Sequence, residues 1–166
     1  MIKANDILRQ YGCYQDNPDV CCLAKNMGFK VYTTEMYNKM KEDLIRGMFL
    51  KSNKASVVKN FNTDKLIIVE EFQKQEYQRF AIAYLISEYI INNQNNEINN
   101  MNEYVSALIM NEYDKEVLNL CRDLLLPDKY NHIYYNSNNI SELIDDYEVP
   151  DFIMASKVKQ YQKEMK

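Results

Sequence analysis

Glu88 needs a chemical explanation. It stands inside Arg79 to Ile91, RFAIAYLISEYII, just after an unbroken apolar run from Phe80 to Ile86. An ionised carboxylate in such a stretch is costly unless it is paired. Tyr84 lies four residues earlier, one helical turn away, and its hydroxyl could donate to Glu88. Arg79 and Arg122 are the cationic alternatives. The expectation is a carboxylate that is paired or set in a groove wall, with ligand binding as the functional alternative.

Other reactive side chains are few. His132 is the one histidine, and it lies beyond Pro127 in a segment rich in Asn and Tyr. The cysteines are Cys13, Cys21, Cys22 and Cys121. None forms a C-x-x-C pair, and adjacent Cys21 and Cys22 would point to different faces of a helix. Free thiols of a cytosolic protein are the expectation. Cys121 is expected to pack as a small apolar residue. No Gly-rich phosphate loop and no G-x-S-x-G elbow occurs, so neither nucleotide chemistry nor a serine-hydrolase triad is signalled.

The elements that would carry these residues follow from periodicity and punctuation. Lys3 to Tyr11 suits a helix closed by Gly12. Asn17-Pro18-Asp19 opens a second helix through Val20, Leu23 and Ala24 to Met27, with Gly28 as its stop. Phe29 to Thr33 reads as a strand, and Glu35 to Leu44 as a short helix. Gly47 to Lys51, Ala55 to Phe61 and Lys65 to Glu70 read as three strands of an antiparallel meander. Ser52-Asn53-Lys54 and Asn62-Thr63-Asp64 are its turns. The apolar helix spans Gln75 to Asn92. Asn92 to Asn100 is low-complexity and expected to be a mobile loop. Helices are expected over Met101 to Met110, Asp114 to Leu126, Asn139 to Asp146 and Pro150 to Met165.

Composition sets the limits. The chain has 166 residues, enough for one domain with a real core. Only three Gly and three Pro argue for mostly helical structure. Fourteen Tyr, no Trp and the run NNQNNEINN fit an AT-rich genome. A net charge of −4 gives no general affinity for nucleic acid. The basic end, Lys157, Lys159, Lys163 and Lys166, is expected to be a solvated helix face. No apolar run approaches the ~18 residues of a membrane span. No signal peptide is expected either, so the location expected is cytoplasmic. Tyr130, Tyr134 and Tyr135 cluster around His132 and form a candidate interface.

The order of these pieces resembles the ImmA/IrrE family of metallopeptidase-like proteins. RFAIAYLISEYII is similar to the family's RFTLAHELGHYLL, with Arg79, Phe80, Ala83 and Tyr89 identical. DKEVLNLCRDLLLP, Asp114 to Pro127, resembles the later family helix E-x-E-A-N-x-F-A-x-x-LLMP. ISELIDDYEVPDFIMASKVKQ resembles the family's helical end, L-x-x-x-F-x-V-S-x-x-x-V-x-x-R-L. The resemblance covers most of the chain, Val20 to Gln160. It implies an α+β, helix-rich zincin-like domain over residues 1–166, with a small antiparallel sheet of three or four strands and a central apolar helix.

In the family an H-E-x-x-H helix holds zinc through its two His, its Glu is the general base, and a downstream acidic residue is the third ligand. Here the first His position is Tyr84, the base position is Leu85 and the second His position is Glu88. Asp114 stands at the third-ligand position. Leu85 cannot take a proton from water. Two carboxylates and a phenol would suit Mg²⁺, Ca²⁺ or Mn²⁺ better than zinc. The expectation is an inactive pseudo-peptidase with no catalytic residue, metal or cofactor, acting by protein–protein binding. The resemblance implies a regulator or inhibitor from a phage or mobile element, with a repressor or host defence protein as partner and no membrane. One alternative is a hydrolase using Glu88 and Asp114 with a non-zinc cation. Nucleic-acid binding through the C-terminal lysines is the weaker alternative.

Overall fold

The computed structural model describes residues 3–36, 56–59, 65–69, 71, 73–94, 105–107, 113–128 and 140–164. Helix α1 spans Ala4–Gln10 and ends on Gly12, whose φ is 70°. The Gly12 amide donates to the Arg9 carbonyl, and the Cys13 amide to the Leu8 carbonyl at 2.7 Å. This double closure needs a left-handed residue, which glycine supplies without steric cost. Helix α2 spans Val20–Asn26. Asp19 is its N-cap, accepting from the Cys22 amide at 2.9 Å. Gly28, at φ 86°, ends it where expected.

Four strands form one sheet in the order β1-β3-β2-β4. They are β1 Phe29–Thr33, β2 Ser56–Lys59, β3 Lys65–Val69 and β4 Val105–Ala107. The sheet is not wholly antiparallel, as the sequence suggested. β1 pairs with β3 in parallel, Phe29 opposite Lys65 and Thr33 opposite Val69. β2 pairs antiparallel with β3 and with β4. A parallel neighbour requires a crossover of a dozen residues or more, and the chain between β1 and β3 is long enough to provide it. β3 is an inner strand, and its apolar run Leu66, Ile67, Ile68 and Val69 is buried throughout. Alternation places Ile67 and Val69 on the face that joins the main core.

A second correction concerns Met101 to Met110. Its described part, Val105–Ala107, is strand β4 and not helix. Main-chain pairing with β2 overrides the helical pattern there.

Helix α3, Gln75–Gln94, is the apolar helix, and it packs against α2, β3 and helix α4, Lys115–Leu125. Phe80 to Ser87 are all buried, and the Ser87 hydroxyl is satisfied by the Ala83 carbonyl at 2.8 Å. α4 buries Val117, Leu120, Cys121, Leu124 and Leu125, one face at helical spacing. Helices α5, Ile140–Tyr147, and α6, Asp151–Glu164, pack on each other.

The lysine expectation for the last helix is corrected at Lys157. Its side chain is fully buried, in line with Ile153 and Tyr161 on the inner stripe of α6. Carboxylates from the end of α4 meet it there, which is what makes burial tolerable.

No helix among the described residues is long and apolar enough to cross a membrane. The short helix expected at Glu35 to Leu44 is described only at its start. The strand at Gly47 to Lys51, both expected turns, most of the Asn-rich loop, the Tyr130–His132–Tyr134–Tyr135 cluster and Lys166 lie outside the described residues.

Candidate functional site

Tyr84, Leu85 and Glu88 come from the middle of α3, and Asp114 from the N-cap of α4, so the packing of these two helices sets their geometry. The Tyr84 hydroxyl accepts a hydrogen bond from the Asp114 backbone amide at 2.9 Å. The Asp114 carboxylate turns into its own helix, accepting from the amides of Glu116 at 2.8 Å and Val117 at 3.0 Å. Both are first-turn amides that no intrahelical carbonyl can satisfy.

The Tyr84 ring is buried in an aromatic cluster. Its centroid lies 5.9 Å from Phe80 and 5.6 Å from Tyr113, and Phe152 of α6 stacks on Tyr113 at 5.8 Å. Burial pushes the Tyr84 phenol above its ordinary value of 10.0, and the carboxylates of Glu88 and Asp114 push the same way. The amide bond from Asp114 opposes them and does not prevail. Tyr84 therefore remains a neutral phenol near pH 7, a poor ligand for any cation. Leu85 is fully buried and packs as core.

Glu88 is half-buried, and its Oε2 has no hydrogen-bond partner among the described residues. The expected pairing with Arg79, Arg122 or Tyr84 is not found for that oxygen. Distance along the helix accounts for Arg79, which lies nine residues away, ~13 Å at 1.5 Å per residue. Arg79 donates to the Tyr147 carbonyl and, at 2.9 Å, to the Pro18 carbonyl. Arg122 is directed at α6, with Asp123 at 3.0 Å and the Ser156 hydroxyl at 3.3 Å.

The structure thus brings Tyr84, Glu88 and Asp114 into one neighbourhood. Among the described residues no group of three or more His, Cys, Asp or Glu gathers as a metal site would require. Two sizeable cavities lie elsewhere. One, of about 710 Å³, opens beside Asn119, Arg122 and Asp123, and the other, of about 600 Å³, beside Asp19, Arg79 and Glu148.

Two polar constellations were not expected from the sequence. In the first, Lys157 Nζ donates to Asp123 Oδ1 at 2.9 Å and Asp128 Oδ1 at 2.8 Å, and the Tyr161 hydroxyl reaches Asp128 at 2.5 Å. Burial alone would raise the Asp128 carboxyl. The hydrogen bonds from Lys157 and Tyr161, with the charges of Lys157 and Arg122, outweigh it and hold the group below 3.8. The apolar period of α6 passing through position 157 was the one available signal. In the second, Cys13 and Cys22 approach each other across the α1–α2 turn, nine positions apart in sequence.

No family model, curated relative or solved structure matches the chain.

Proposed function

We propose that this chain is a non-catalytic binding protein, a zincin-like pseudo-peptidase of ImmA/IrrE type that acts on a protein partner. The observation that carries this is the state of the signature positions. Where a peptidase needs a ligand and a base, Tyr84 is a buried neutral phenol bonded to the Asp114 amide, and Leu85 is core. Asp114, at the third-ligand position, uses its carboxylate to cap α4. A regulator or inhibitor carried by a phage or mobile element, binding a repressor or host defence protein, is the version the resemblance favours.

The test mixes the purified full chain with a purified helix-turn-helix repressor from the same genome. A stoichiometric complex, with the repressor uncut and binding indifferent to chelator, is expected. Repressor cleavage that disappears in Glu88→Gln would overturn the proposal.

A second reading keeps some support from Glu88, whose buried unpartnered oxygen would gain from a cation. That reading is a hydrolase using Glu88 and Asp114 with Mg²⁺, Ca²⁺ or Mn²⁺. It requires Asp114 to give up its capping bonds or to share its second oxygen. Bound metal at one equivalent, lost in Glu88→Gln, would favour it over the first. Nucleic-acid binding through the terminal lysines loses Lys157 to the interior.

A further inference from the structure

Asn26, in the last turn of α2, holds together two sulfurs from different elements. Its Nδ2 lies 3.8 Å from Cys13 Sγ and 3.6 Å from Cys22 Sγ, and donates to the Tyr11 carbonyl at 2.8 Å. The backbone fixes both cysteines. The Gly12 closure of α1 sets Cys13, whose thiol also contacts the Tyr11 carbonyl at 3.4 Å. The Asp19 cap fixes the Cys22 amide in the first turn of α2. Both thiols are free, one buried and one exposed. The arrangement is that of a dithiol with one reachable sulfur and one waiting behind it.

We propose that Cys13 and Cys22 form a modification site for peroxides, which convert the pair into an intramolecular disulfide. The exposed Cys22 sulfur attacks one peroxide oxygen, the O–O bond breaks, and water leaves, giving Cys22 sulfenic acid. The Cys13 sulfur then attacks the Cys22 sulfur, the S–O bond breaks, and a second water departs with the Cys13 proton. Two thiols are oxidised by two electrons, and one hydrogen peroxide is reduced to two waters. Cys22 goes first because the attacking thiol must be reachable. Burial and the neighbouring Cys22 thiol raise Cys13 to about 11, against a smaller lowering by Asn26, which suits the resolving rather than the attacking role. Cys121 is fully buried and takes no part. Cys21, half-buried on the preceding position of α2, is the competitor the test must separate.

The reduced full chain is treated with hydrogen peroxide, alkylated, and cut before Asp16 and Asp19, which parts Cys13 from Cys21 and Cys22. The expected product is monomeric, lighter by two hydrogens, with the two peptides cross-linked until a dithiol reductant is added. Cys21→Ser should keep the cross-link. Cys22→Ser should lose it, and Cys13→Ser should leave a sulfenic acid at Cys22 that dimedone captures. A cross-link through Cys21, a disulfide between chains, or sulfinic acid at Cys22 without any cross-link overturns the proposal.

Discussion

Tyr84 shows how a single side chain can tie two helices together. Its hydroxyl is the partner of the Asp114 amide where α4 begins. Tyr84→Phe keeps the ring in its aromatic cluster and leaves that amide without its acceptor. Asp114 is itself exposed, so losing this bond costs about 0.5–1.5 kcal/mol. Urea unfolding should show that loss, and an unchanged midpoint would mean that water or another group takes the amide. Asp128 offers a pH test. Its folded pKa lies below its ordinary 3.8, so its stabilising effect is present above that value and is lost as pH falls through the folded one. Asp128→Asn should therefore be less stable than the parent at pH 6. The two stabilities should converge as pH falls below about 4. A gap that persists at pH 2 would show that the hydrogen-bond geometry, not the charge, matters. Thiol order is a third residue-scale expectation. Cys22 should react with iodoacetamide well before Cys13 or Cys121, since it is the exposed one and burial pushes the other two thiols up.

At the scale of elements, legibility followed how much an element owes to itself. α3, α4 and α5 were readable because their apolar patterns are local. Asp114 and Pro127 bracket α4, and the face from Val117 to Leu125 repeats at helical intervals. β3 was readable from its apolar run. Met101 to Met110 was not, because β4 depends on a partner strand more than forty residues away, and nothing local reports that edge. The parallel pairing of β1 with β3 is hidden for the same reason. Of the candidate site, the places of Tyr84, Leu85 and Glu88 on one helix could be read directly. The bond from Tyr84 to the Asp114 amide could not. In α6, charge misled where period would have informed. Position 157 belongs to the stripe of Ile153 and Tyr161, and its ammonium is accepted by Asp123 and Asp128. Only Lys157 is buried; the side chains of Asp123 and Asp128 are 30% and 51% exposed, so both carboxylates stay solvated without it. Lys157→Ala, which leaves a cavity beside two carboxylates that water still reaches, should lose roughly 2–5 kcal/mol. Lys157→Met should lose clearly less, although the carboxylates remain, because it fills the volume. Equal losses in the two variants would assign the whole effect to charge.

At the scale of the molecule, the question is whether α3 is a support or a site. It joins α2, α4 and β3 in one core, so its stability and that of the domain are the same quantity. A cation held by Glu88 and Asp114 would bridge α3 to α4 and bind only the folded chain. Such a ligand at a hundredfold excess over its dissociation constant adds about 2.7 kcal/mol. For a chain of this length each kcal/mol moves the melting temperature by roughly 2–4 °C, so the shift would be about 5–10 °C. The binding-protein proposal predicts none of this. Melting temperature should be the same within a degree or so in strong chelator and in millimolar Mg²⁺, Ca²⁺ or Mn²⁺. Glu88→Gln should not change that indifference. A rise of several degrees with one cation, abolished by Glu88→Gln and by Asp114→Asn alike, would place a metal between the two helices and return the second reading to first place. A rise abolished by Asp128→Asn instead would locate the ion beside the Lys157 cluster, where Asp123 and Asp128 line the larger cavity. Tyr84 and Glu88 would then have no part in it.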